Sequence, residues 1–120
     1  MHVISKKKLR EFWSQPTHRH SKAALTEWYE IVAGAEWHQF SDVKQTFNAS
    51  DQVGSKTVFD VGGNKFRVIA FIDYERQRVY IRAVFDHKEY GKGTWKKDTF
   101  GDDWMPFRQM MKRRRKGRQS

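Results

Sequence analysis

His87 and Tyr90 stand three residues apart where an apolar, β-branched run stops, in "RVYIRAVFDHKEYGKG". An imidazole ordinarily titrates near pH 6.5 and a phenol near about 10, so the two can serve as a proton-transfer pair. They can equally be ordinary loop residues. Two arginines belong to the same neighbourhood. Arg67 lies in "KFRVIAFID" and Arg82 in "RVYIRAVF". If the two runs form a hairpin, strand alternation places both guanidinium groups on one face, roughly 7–14 Å apart along the strands. Two long side chains at that spacing can close around one phosphate. Lys65 shares that face. Arginines on an exposed sheet face also serve solubility and edge protection, so each residue taken singly has a bland reading.

Other candidates are weaker. His18 and His20 fall in a loop between helices without a paired acid, which is unconvincing as metal-ligand spacing. "GGNK" is a hairpin turn and not a nucleotide loop, since no helix follows it. Neither a metal nor a cofactor is expected.

The elements that must position these residues are legible from period and breakers. "HVI" reads as a short first strand. "KKKLREFWSQ" carries Leu9, Phe12 and Trp13 at helical spacing and ends at Pro16. "HSKAALTEWYEIVAGA" aligns Ala24, Leu25, Trp28, Ile31 and Val32 in one stripe, with Ser21 as N-cap and Gly34 as stop. "SDVKQTF" fits one or two helical turns, and "NASDQVGS" reads as loop. The period then changes to two. "KTVFDV", a turn at "GGN", "KFRVIAFID" and "RVYIRAVF" form an antiparallel meander. Phe66, Val68, Ala70 and Ile72 should face the helices, as should Val79, Ile81, Ala83 and Phe85. The fold class is α+β, with an N-terminal strand and helices packed on one face of an antiparallel β-sheet.

Composition bounds the rest. The chain has 120 residues, 38% of them hydrophobic, with five tryptophans and no cysteine. That suffices for a packed domain and excludes disulfides and thiolate metal sites. No apolar run approaches the roughly 18 residues of a membrane span. "MHVISKKKLREFW" lacks the apolar core of a secretory signal, so a cytoplasmic protein is expected. The formal net charge is +10, and residues 104–120 carry +7 of it with no acid. "MKRRRKGRQS" is either a solvated end or an arm for nucleic-acid phosphates, with Arg113, Arg114 and Arg115 at its centre.

"MHVIS" followed by a helix, then "VFDVGGNKFRVIAFIDYERQRVYIRAVFDHKEY" and "WKKD", resembles the HigB family of toxins from type II toxin–antitoxin systems, within the RelE/ParE superfamily. The resemblance spans about residues 1–97 and is most specific over 58–90. It divides the chain into a RelE-like toxin domain, 1–97, and a basic C-terminal extension, 98–120. It implies a ribosome-associated mRNA interferase that inhibits translation by metal-independent attack of a 2′-hydroxyl on the adjacent phosphorus. It also implies a HigA-like helix-turn-helix antitoxin as partner, with DNA reached only through that antitoxin. Trp13 and Trp28 are candidates for the surface that receives it. Carried over by position, Arg67, Arg82, His87 and Tyr90 are the expected catalytic residues. Asn64, Lys65 and Lys88 are expected to touch RNA. Two other readings stay open: a ParE-like gyrase inhibitor, which would need no proton carrier such as His87, and a non-catalytic RNA-binding module.

Overall fold

Every residue of "FRVIAFI" is buried, on both faces of the strand it forms. A strand buried on both faces must be covered on both. The computed structural model describes residues 1–63 and 65–102 and shows how this is done. Strands β1 (His2–Ile4), β2 (Ser50–Val53), β3 (Lys56–Val61), β4 (Phe66–Asp73) and β5 (Arg78–Asp86) form one sheet in the order β1-β5-β4-β3-β2. β1 runs parallel to β5, and the other pairs are antiparallel. The α+β architecture expected from the sequence is therefore the one observed.

Helices α1 (Lys7–Trp13) and α2 (Lys22–Gly34) cover one face. Leu9, Phe12, Leu25, Trp28 and Val32 pack there against Phe66, Val68, Ala70 and Ile72. Ile31 of the expected stripe lies at its margin and is 40% exposed, whereas Trp28 is in the core and is no surface for a partner. A 3-10 segment, Pro16–Ser21, joins the two helices. Ser21 caps nothing with its side chain; its hydroxyl donates to the His18 carbonyl at 2.6 Å. Helix α3 (Phe40–Thr46) leads into β2.

β2 occupies part of the stretch read as loop. Asp51, Gln52 and Val53 are exposed on this edge strand, so no apolar alternation marked it. Its hairpin to β3 turns at Gly54, and the β3–β4 turn uses Gly62 and Gly63, all with positive φ.

A second correction concerns β5. Ile69 pairs with Ala83 but Ala70 pairs with Ile81, so Arg82 is an extra residue, a β-bulge. The bulge reverses the alternation. Val79 and Ile81 face the helices as expected, and so does Val84, while Ala83 and Phe85 lie on the opposite face with Val58 and Ile69.

That opposite face is not open. Past helix α4 (His87–Gly91), a second 3-10 turn, Thr94–Lys97, begins a strap that crosses it. Trp95 packs on Val58 and Ile69, and the Phe100 ring meets Phe71 edge-on at 6.1 Å. Gly101 is buried with φ +81°, and a Cβ there would run into the Phe71 ring. Gly101→Ala combines a left-handed backbone with a steric clash, so we predict a loss of about 1–3 kcal/mol in urea unfolding. An unchanged midpoint would show that the strap contributes little to the fold.

Candidate active site

Asp86 closes β5 opposite Phe66 and caps α4: its Oδ1 accepts the Glu89 amide N–H at 2.7 Å. A carboxylate at this position ends the strand and starts the helix in one step. α4 then turns His87 and Lys88 to solvent and Tyr90 back onto the sheet. The Tyr90 ring stacks on Trp95 at 5.4 Å and 16°, with the Arg67 guanidinium 5.1 Å from its centre.

The other oxygen of Asp86 reaches the 3-10 segment. His18 Nε2 lies 3.3 Å from Asp86 Oδ2, and His18 Nδ1 lies 3.0 Å from Gln15 Oε1. The imidazole is stacked flat on Phe12, at 4.0 Å and 8°. The Glu89 amide holds the Asp86 carboxyl below its ordinary range, against some desolvation and with help from His18. Between the 3-10 segment and α4 runs an open groove of about 810 Å³, lined among others by His18, His20, Lys65, Asp86, His87 and Lys88. Its two lysines are balanced by Asp86 and Glu89, and it is rich in imidazole, which suits proton transfer beside a phosphodiester held by Lys65 and Lys88.

The arginines are elsewhere. Arg67 is 8% exposed, and its Nε lies 2.5 Å from Asp60 Oδ1 on the neighbouring strand β3. Arg82, freed from the ladder by the bulge, pairs through Nε with Asp98 Oδ2 at 2.8 Å and sits 4.1 Å from the centre of the Phe100 ring. Each guanidinium thus has its own carboxylate partner. Sequence alternation alone could not reveal this, because Asp98 lies on the strap. Lys56, 3% exposed, holds that strap: its Nζ donates to the carbonyls of Asp98 at 3.0 Å and Phe100 at 2.7 Å.

Of the residues expected from the sequence, then, Lys65, His87 and Lys88 share the groove. Arg67 and Tyr90 lie behind it on the sheet face, and Arg82 lies under the strap. Asn64, Arg113, Arg114 and Arg115 fall outside the described residues. The sequence reading missed Asp86, and it weighed His18 and His20 only as metal ligands. The available signal was Asp86 itself, an aspartate directly before a short helix. Among the described residues, no three His, Cys, Asp or Glu are gathered so as to hold a metal ion. Nor is any described helix long and apolar enough to cross a membrane.

Residues 21–93 match the sequence model of the HigB toxin family, described as the RelE-like toxic component of a toxin–antitoxin system. The chain belongs to this family. It is 34% identical over 94 residues to the mRNA interferase toxin HigB of Escherichia coli K12, covering 75% of this chain and 88% of the relative. It is 29% identical over 97 residues to the mRNA interferase HigB of Escherichia coli O6:H1 strain CFT073, covering 78% and 92%. The matched HigB segment runs from the start of α2 to the end of α4. His18 and His20 precede it, and the strap follows it.

Burial pushes the Asp98 carboxyl up, but Arg82, the Phe100 amide and Lys56 together hold it below the ordinary carboxylate range. A depressed carboxylate stabilises the fold above its unfolded pKa of about 3.9, and the contribution is lost as pH falls through the folded value. We predict that Asp98→Asn costs about 1–2 kcal/mol at neutral pH. The gap to the native protein should persist down to about pH 5 and narrow as pH falls below about 4. Urea unfolding at pH 7, 5 and 3 checks this, and a gap of constant size at pH 3 would contradict the linkage.

Proposed function

We propose that this chain is an mRNA endoribonuclease acting at the ribosome, and that the groove between the 3-10 segment and α4 is where it cuts. The observation that carries the reading is His87, exposed at the first position of α4 on the wall of a groove that also holds Lys65 and Lys88. The names of the curated relatives point the same way. Cleavage next to a 2′-hydroxyl requires a base for that hydroxyl, an acid for the departing 5′-oxygen and cations for the phosphorane. His87 supplies a proton carrier and the two lysines supply charge, so the chemistry is drawn from side chains without a metal. Arg67 supports the site from behind by fixing Tyr90. Arg82 reaches a phosphate only where Asp98 gives way. Tyr90, in contact with both Arg67 and Trp95, acts in this reading by holding α4 in place.

The setting is the cytoplasm, where mRNA is translated, and the partner is a HigA-like helix-turn-helix antitoxin. With Trp28 buried, the apolar docking area on α2 reduces to the surroundings of Ile31.

Incubating the protein with ribosomes and mRNA and mapping the new 5′ ends tests the reading. His87→Ala should lower single-turnover cleavage by about 10²-fold or more, with folding intact. Native cleavage speed in that variant would remove His87 from the mechanism, and no cleavage by the native chain would remove the nuclease reading.

The basic end of the chain bears on affinity. Residues 104–120 carry +7, so deleting residues 108–120 should weaken ribosome binding and flatten its salt dependence by up to about seven phosphate contacts, without abolishing cleavage. The same affinity and salt slope after truncation would make this segment a solvated end.

A further inference from the structure

A 2′-hydroxyl attack needs two proton carriers, and His87 is one. Tyr90 packs against Trp95 and Arg67 and is not among the residues that line the groove with His87. His18 lines the same groove as His87 and is differently held. Asp86 Oδ2 stands against Nε2, on the part-buried side, and Gln15 stands against Nδ1, on the exposed side. A carboxylate that accepts from Nε2–H fixes the tautomer in which Nδ1 carries the lone pair. Phe12 holds the ring plane. Among the described residues, the contact at Nδ1 is the exposed carboxamide of Gln15, which in this tautomer must turn its NH2 towards the lone pair and which a substrate can displace.

We propose that His18 is a catalytic residue, the general base of the cleavage, with Asp86 as its positioning residue and His87 as the acid. This rests on the nuclease reading above. In the step, His18 Nδ1 takes the 2′-hydroxyl proton as the O2′–P bond forms. The P–O5′ bond breaks, and protonated His87 gives its proton to the leaving O5′. The products are a 2′,3′-cyclic phosphate and a 5′-hydroxyl, with His18 left as the imidazolium and His87 neutral; exchange with water restores both. Once the product has left and Gln15 has returned, the imidazolium donates from both nitrogens, to Asp86 Oδ2 and Gln15 Oε1, until water removes the extra proton. The charged groups facing the two imidazoles across the groove are Lys65, Asp86, Lys88 and Glu89.

The test is single-turnover cleavage of mRNA on programmed ribosomes by the full chain. His18→Gln should lose about 10²-fold in rate while its half-saturating ribosome concentration stays within about twofold. His18→Gly should recover about tenfold or more when free imidazole is added, because the cavity between Phe12 and Asp86 admits the missing ring. Asp86→Asn is the control that survives any folding defect at His18. Asparagine caps a helix as well as aspartate, so α4 stays in place while the carboxylate behind His18 is lost. Its rate should fall about tenfold or more with binding kept. Native speed in His18→Gln overturns the assignment, as does a folded His18→Gly that ignores imidazole, or native speed in Asp86→Asn. If the native chain cleaves nothing, the nuclease reading falls and this one with it. If it cleaves and these variants cleave equally fast, only the assignment of His18 falls.

Discussion

The two-sided burial of β4 is the constraint that the other parts answer to. Its alternate residues point into two separate apolar clusters, so a single layer of helices could not bury it. The second cover is the strap from Thr94 to Asp102, a stretch with little helix or strand of its own. A segment of that kind stays down only if its backbone carbonyls find donors. Lys56 provides them from β3, reaching two strap carbonyls and the Ser55 hydroxyl with one buried Nζ. Left without partners, such a buried ammonium would cost several kcal/mol. Lys56 and the strap therefore depend on each other. The strap also carries Trp95, on which Tyr90 rests, and Trp95 Nε1 donates to the Tyr90 carbonyl at 3.3 Å. The wall of the groove that bears His87 is thus anchored, through Tyr90, to the cover of the sheet.

The elements with a strong period were legible. Leu25, Trp28 and Val32 announced α2, and Phe66, Val68, Ala70 and Ile72 announced both β4 and its helix-facing side. What escaped has physical reasons. The bulge at Arg82 leaves no mark in the pattern, because Ala83 and Phe85 are apolar and both faces of the sheet are buried there. Ile69 and Phe71 were visible as apolar residues on the face assumed to be open, and they were the sign that something covers it. β2 was hidden by an edge strand's freedom to be polar.

The same hidden cover accounts for the arginines. Sequence alternation correctly puts Arg67 on the face away from the helices, and a guanidinium on an open face is free for phosphate. On a covered face it must be paired, and Asp60 and Asp98 do this for Arg67 and Arg82. Bidentate chemistry that looks like substrate recognition in the sequence is employed in holding β3, β4, β5 and the strap together. Among the described residues, the lysines that line the groove, Lys65 and Lys88, attract phosphate as point charges without fixing its orientation. Orientation in this groove then falls to the imidazoles and to what holds them.

Asp86 is where these demands meet. One oxygen starts α4 and so sets His87, and the other sets His18, 68 residues earlier in the chain. A single carboxylate thus fixes two imidazoles from opposite walls of one groove, and any shift of β5 relative to the 3-10 segment alters both together. The α4 wall lies inside residues 21–93, which match the HigB toxin family model, and His18 stands just before them. The partner across the groove becomes visible only when the fold brings Pro16–Ser21 against the end of β5, because no local sequence pattern links a histidine between two helices to an aspartate at a strand end.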